Sequence, residues 1–315
     1  MKDRLLLVAT CILAACQAQA TDYPVKPVTM ILASAAGGGP DAVARIASDR
    51  LSQVWNQPVL IVNRPGAGGL VAAQAMSGVK PDGYTLFMLV ASNFTVLAQT
   101  QEKLPIDFER DIRPVGLIGE QPFVIAVAGT LGVNTLPELL SLAQQRPSQI
   151  AYGTMRGGLP HMAMEMLRSR VNVDLTFIPY TAARQILPDV MAGRVEVLID
   201  SMPAFHGAYE KGLIKPLAVA SQARLPDYPN IPTVAETVPG YEARGWLALM
   251  APAGTPDNVV SKVNNDLRSV LEQPEVQSKF RTLGTYTRAM SPSEVAEFIR
   301  REQRLWKPFV KIAVQ

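Results

Sequence analysis

From Pro27 onward, short apolar runs rich in β-branched residues alternate with longer stretches whose apolar positions recur every three or four residues. PVTMILA, PVLIVN and YTLFMLV read as strands, separated by DAVARIASDRLSQVW and LVAAQAMSGV. In the first of these stretches Val43, Ile46, Ala47, Leu51 and Val54 share one face of a helix. A second set follows PFVIAVAG (122–129): TLPELLSLAQQR, IAYGT, a helix over His161–Arg168, VDLTFIPY, ARQILPDVMAG, RVEVLIDS and IKPLAVAS. Thr135 and Glu138 have the spacing of a capping box. Strand and helix alternating in this way predict an α/β fold with mostly parallel sheets covered on both faces.

A proline-rich passage, LPDYPNIPTVAETVPGYEARG, leads to the apolar run WLALMAPAG. Two long helices then close the chain, from Pro256 and Pro292, with Thr255 and Ser291 as N-caps and each proline at the first helical position. The apolar runs near 123–128 and 246–251 are the places where the chain is expected to cross between two lobes. Lobe I then comprises 21–125 plus 246–315 and contains both ends of the mature chain, and lobe II is the insertion 126–245.

Ahead of this pattern, Lys2 and Arg4 precede an apolar run from Leu5 to Ala15, with small residues at Ala18 and Ala20. This is the layout of a secretory signal over 1–20, cleaved after Ala20. The run falls short of the roughly 20 residues that a permanent span needs. Leu13-Ala14-Ala15-Cys16 also resembles a lipobox, which would leave a lipidated Cys16 as anchor. Either form is exported, so the expected location is the periplasm. Cys11 and Cys16 both lie in the leader, which gives the soluble form neither a disulfide nor a thiol nucleophile. A formal net charge of +3 over 315 residues argues against a nucleic-acid or polybasic membrane partner.

The candidate chemistry lies in the glycine loops. SAAGGGPDAVAR (34–45) runs from a strand into a helix, where unpaired N–H groups and the positive helix end can receive an anion. Its spacing fits neither G-x-G-x-x-G nor a P-loop, so a nucleotide phosphate is set aside. A tight turn capped by Asp41 is the plain alternative. NRPGAGG (63–69) repeats the strand-to-helix position, and Asn93 follows the strand YTLFMLV. Ligands of parallel α/β sheets collect at these strand ends. In the second half YGTMRGGLPH (152–161) offers Thr154, Arg156 and the N–H groups around Gly157 and Gly158 from the opposite side.

GGGPDAVAR, NRPGAGG, PDGYTL, YGT…GGLPH, VEVLIDS, PTVAE and LMAPAGTP, in this order, resemble the tripartite tricarboxylate transporter receptors, or Bug family. The run Asn63–Leu86 is the most specific part, and the similarity covers essentially all of the mature chain. The resemblance implies a two-lobed periplasmic-binding-protein fold of type II, with a cleft that closes by hinge motion on a small carboxylate. It implies ligand contacts from Ser34, Ala35, Ala36, Gly37, Gly38, Gly39 and Asp41, and from Thr154, Met155, Arg156 and Gly157. Asn93, Tyr180 and Asp200 would line the cleft from strand ends. The implied partners are the membrane subunits of a tripartite transporter, served by a monomer without cofactor or metal. Passing occupancy to a membrane sensor kinase, without transport, is the alternative.

The chain departs from the family pattern at Ala33 and Ser34, at Arg156, and at Thr181, Ala182 and Ala183. Arg156 suggests a second acidic group on the ligand, or else a solvent-facing loop arginine. Asp200 could accept a ligand amino group or cap the next turn. Hydrolase chemistry is not expected, since His161 and His206 are the only histidines and no G-x-S-x-G occurs. His161 is expected to pack in the first turn of its helix. In HMAMEM, Met162 and Met166 share a helix face while Met164 points away, so core packing is expected rather than copper binding.

Overall fold

The computed structural model describes residues 23–93, 95, 103–181 and 183–314; the leader, with both cysteines, lies outside the described residues, as does Ala182. The first half builds β1 (Val28–Leu32), α1 (Gly39–Trp55), β2 (Val59–Asn63), α2 (Leu70–Met76) and β3 (Thr85–Val90). Next comes β4 (Ile112–Pro122), and after the single residue Phe123 the chain enters β5 (Val124–Ala128). There follow α3 (Leu136–Gln145), β6 (Ala151–Met155), α4 (Leu159–Val171), β7 (Thr176–Tyr180), α5 (Ile186–Met191), β8 (Val197–Asp200), α6 (His206–Glu210) and β9 (Ile214–Val219). The chain returns through β10 (Arg244–Pro252) and closes with α7 (Asp257–Leu271), α8 (Pro274–Thr282) and α9 (Pro292–Val314).

Among the described residues the strands form two five-stranded sheets, in the orders β2-β1-β3-β10-β4 and β7-β6-β8-β5-β9. Each is parallel except for the fourth strand, β10 or β5, which runs against both neighbours. The predicted α/β class and two-lobed arrangement of sheets are thus present. Central strands are apolar on both faces because helices cover both sides, and all of β5 (VIAVA) is buried.

The two connections between the sheets lie side by side. The Ala220 N–H donates to the Phe123 carbonyl at 2.7 Å and the Ala243 N–H to the Ala220 carbonyl at 2.8 Å. Beside them Arg244, 2 % exposed, meets Glu302 at 3.1 Å, Glu120 at 3.5 Å and Glu242. A buried cation is tolerated only when so surrounded. Burial pushes the Glu302 carboxyl up, while Arg244 and the Trp306 indole N–H, 3.1 Å from its second oxygen, hold it down. Helix α9 packs on both β4 and α4, and one apolar core runs from Phe87 and Trp246 of the first sheet to Tyr152 of the second and Met164 of α4.

Several local expectations give way to packing. The buried face of α1 is Val43, Ala44, Ala47, Ser48, Leu51 and Trp55, while Ile46 is half-buried and Val54 is 47 % exposed, because the Trp55 ring fills the last core position. The chain closes with three helices rather than two. Thr255 does not cap α7: the helix starts at Asp257 behind Pro256, and the buried Thr255 hydroxyl has no partner among the described residues. Ser291 does cap α9, accepting the Glu294 N–H at 3.3 Å while its own N–H donates to Glu294 at 2.7 Å. At α3 only half of the box forms, since Glu138 accepts from Asn134, one residue too early. Met162, Met164 and Met166 are all fully buried, because α4 lies between its own sheet and α9. No helix among the described residues is long and apolar enough to cross a membrane.

Candidate functional site

Strand directions determine where the loops go. Since β10 opposes both β3 and β4, strands β1 to β4 all run toward the end of the first sheet where β4 passes into β5. In the second sheet β5 leaves that crossing, Asp200 at the end of β8 pairs with Val124 at the start of β5, and β6 runs parallel to β8. The loops after β1, β2 and β3 and those after β6 and β8 therefore lie at sheet edges that both face the crossing. These edges carry helix N-termini on both sides of the crossing.

The β1–α1 loop (33–38) is held from within. Asp41, 2 % exposed, takes the Gly37 N–H on Oδ2 at 2.8 Å. Arg45 grips both of its oxygens at 2.9 and 3.1 Å, and Asn63 at the end of β2 donates to Oδ1 at 2.9 Å and to the Ser34 carbonyl at 3.0 Å. The paired Arg45 guanidinium holds the Asp41 carboxyl down at about 2. With its lone pairs so engaged, Asp41 shapes the loop. Gly37 sits at φ +81°, in the left-handed region, which a side chain would strain. The N–H groups of Ala35, Ala36 and Gly39 have no acceptor among the described residues.

The β6–α4 loop is similar. Thr154 is buried in β6, Met155 and Arg156 are exposed, and Gly157 donates its N–H to His161 Nδ1 at 3.3 Å. The Arg156 N–H has no acceptor among the described residues, and its guanidinium lies 5.2 Å above the Phe177 ring. Such a contact is worth about 0.5–1 kcal/mol at an exposed site and leaves the N–H fork available.

The remaining candidates brace the walls. Asn93 donates to the Gly68 carbonyl at 2.7 Å and accepts from Val90 at 3.3 Å, which ties the second glycine loop to the end of β3. Gly69, at φ +108°, is the residue this leaves room for, since a Cβ there would sit 2.4 Å from the Asn93 amide nitrogen. The Tyr180 ring covers Gly153 and its hydroxyl donates to Asp189 at 2.7 Å; burial and that carboxylate push it up to about 12. Asp200 accepts the Ser201 N–H at 2.7 Å, and burial pushes its carboxyl above the usual range. Arg45, Asn63 and His161 organise the two loops and are not among the expected site residues; the i,i+4 spacing of Asp41 and Arg45 and of Gly157 and His161 is the signal that points to the first and the last, and no local spacing points to Asn63.

A shallow notch of about 380 Å³ between Tyr23, Val25, Val54, Trp55 and Lys262 lies at the opposite end of the first sheet, beside the start of β1. Its one cation, Lys262, is paired with Asp266 at 2.6 Å, so it does not compete as an anion site. No group of three or more His, Cys, Asp or Glu side chains that could hold a metal occurs among the described residues.

Residues 43–313 match the model of the tripartite tricarboxylate transporter family receptor. Protein BugT of Bordetella pertussis is 30% identical over 311 residues, 97% of this chain and 94% of BugT. Among solved structures, Rpa4515 of R. palustris with adipate is 32% identical with a TM-score of 0.78, covering 93% of this chain and 98% of that one. MatC of Rhodopseudomonas palustris with bound malate is 27% identical with a TM-score of 0.73, covering 91% of this chain and all of MatC. Members of this group are periplasmic solute-binding receptors, not enzymes.

Proposed function

Because the chain belongs to the tripartite tricarboxylate transporter receptor family, we propose that this solute-binding receptor is exported, closes two lobes on a small carboxylate and delivers it to the membrane subunits of a tripartite transporter. The supporting observation is the pair of glycine loops at facing sheet edges, each opening a helix and each retaining N–H groups without an acceptor among the described residues. One helix end contributes about 0.3–1 kcal/mol, up to about 2 when partly buried. Micromolar affinity requires about 8 kcal/mol. Both rims must therefore act together, through charge-assisted hydrogen bonds of about 1.5–3 kcal/mol each.

The lobes are taken as 21–125 plus 246–315 and 126–245, hinged where Phe123, Ala220 and Ala243 hydrogen-bond together. Arg156, whose guanidinium meets no carboxylate among the described residues, suits a second acidic group on the ligand. The adipate and malate bound by the two solved relatives are both dicarboxylates, which supports that class. Asp200, half-buried at the end of β8, suits a hydroxyl or amino hydrogen on the same ligand.

A thermal-shift series of the mature chain against mono-, di- and tricarboxylates tests the reading. A true ligand at a hundred times its Kd adds about 2.7 kcal/mol of stability. No movement of Tm with any carboxylate would contradict it. Co-purification with membrane carrier subunits, rather than with a sensor kinase, is the result expected for delivery.

A further inference from the structure

The two rim loops share one construction and differ in the side chain that locks it. Each has a glycine at positive φ (Gly37, +81°; Gly157, +74°) followed by an extended N-cap glycine (Gly38, φ −80°, ψ 169°; Gly158, φ −77°, ψ 162°). In each the N-cap N–H reaches back three residues, Gly38 to the Ala35 carbonyl at 3.4 Å and Gly158 to the Met155 carbonyl at 3.3 Å. Pro40 or Pro160 follows in the first helical turn, and the next side chain accepts the first glycine's N–H. In the first sheet that acceptor is Asp41 Oδ2, in the second His161 Nδ1.

We propose that His161 is the positioning residue of the β6–α4 loop: its neutral imidazole is the latch that the Asp41 carboxylate provides in the β1–α1 loop, and protonation releases the Gly157 side of the cleft. A backbone N–H can only donate, so Nδ1 carries no proton and the ring hydrogen sits on Nε2. The imidazole, 3 % exposed, stacks on Phe177 of β7 with centroids 3.9 Å apart and planes 16° apart. The charged and titratable groups around it are Glu165 and Arg168 of α4, Arg156 of the loop and Tyr152 of β6. Glu165 Oε1, 3.9 Å from Nε2, is already engaged by Arg168 at 2.7 Å and by the Tyr152 hydroxyl. Burial first, and then Arg156 and Arg168, keep the imidazole below its ordinary range against the pull of Glu165. Once protonated, Nδ1 is a donor facing a donor, and the loop must move. Asp41 cannot fail in this way until the pH nears 2.

Two arms test the latch, and only the second rests on the carboxylate reading. In ligand-free protein, amide NMR follows Gly157 and Gly37 from about pH 8 to 4.5, through the ordinary histidine range and below it, since burial lowers this ring. The Gly157 amide is expected to titrate with the His161 ring and to lose about tenfold in exchange protection on protonation, while Gly37 stays constant. His161→Asn, with a non-titrating acceptor, abolishes the Gly157 response. His161→Phe keeps the stack but loses the protection at every pH. A Gly157 amide indifferent to the ring titration overturns the proposal. In the ligand arm, the ratio of wild-type to His161→Asn affinity for adipate falls about threefold over the same pH interval, a comparison in which the ligand's own titration cancels. A constant ratio also overturns it. Should adipate not bind at all, the carboxylate reading suffers, and the amide arm still decides the latch.

Discussion

The loop after β1 and the loop after β6 share one backbone construction, yet one is clamped by three side chains and the other by one. Asp41 is tied to Arg45 on its own helix and to Asn63 on the neighbouring strand, so the first rim is braced across two elements. His161 has one long hydrogen bond to the loop and a ring stack beneath it. Charge-assisted hydrogen bonds are roughly twice as strong as neutral ones. On the proposed reading the first rim is the fixed wall of the cleft, and the second is the wall that chemistry can adjust. Arg156, exposed and without a carboxylate partner among the described residues, stands on the second rim.

Substitutions can break this contrast. Asp41→Ala leaves the Gly37 N–H without its acceptor, takes one of two acceptors from Asn63 and removes the carboxylate partner of Arg45, and should cost about 3 kcal/mol in denaturant unfolding. His161→Ala removes one hydrogen bond and a stacked ring and should cost about 2 kcal/mol. Equal losses would mean that the two rims are equally braced. Arg156→Ala should change stability by less than about 0.5 kcal/mol while lowering affinity for a dicarboxylate about tenfold relative to a monocarboxylate. A uniform loss for both ligands would remove its assignment to a second acidic group.

The pH dependence sharpens the same contrast. Both latch groups have folded pKa values below their ordinary ones, so each contributes stability above its unfolded value and loses it as the pH falls. For Asp41 that loss begins near 3.8 and runs down to about 2. For His161 it begins near 6.5 and continues as the pH falls through its lowered value. Stability against pH should therefore decline in two separate steps. Asp41→Asn should shrink the acid step, to which the lowered carboxyls of Asp111 and Glu236 also contribute, and His161→Asn should remove the milder one, each read as the unfolding free energy at fixed temperature.

The sequence shows the strands, the α/β class and the glycine loops plainly, because period-two and period-3.6 patterns and strand-to-helix glycines are local signals. What it hides is the direction of side chains. Asp41 looks like a ligand group until Asn63, twenty-two residues on, and Arg45 occupy its oxygens. Asn93 likewise turns to a carbonyl twenty-five residues away. Tyr180 points to Asp189 across a turn that the strand pattern does not specify. Such contacts depend on which strands become neighbours, and Val54 fails for the same reason, since Trp55 takes the core position at the end of α1.

The claim on which the account rests is that one carboxylate is held by both rims together. Amide NMR during a titration with the carboxylate that gives the largest thermal shift tests it most directly. The Ala35, Ala36 and Gly39 amides of the first rim and the Arg156 amide of the second should move along one binding curve with a single Kd. Movement confined to one rim, or none in either, would contradict it.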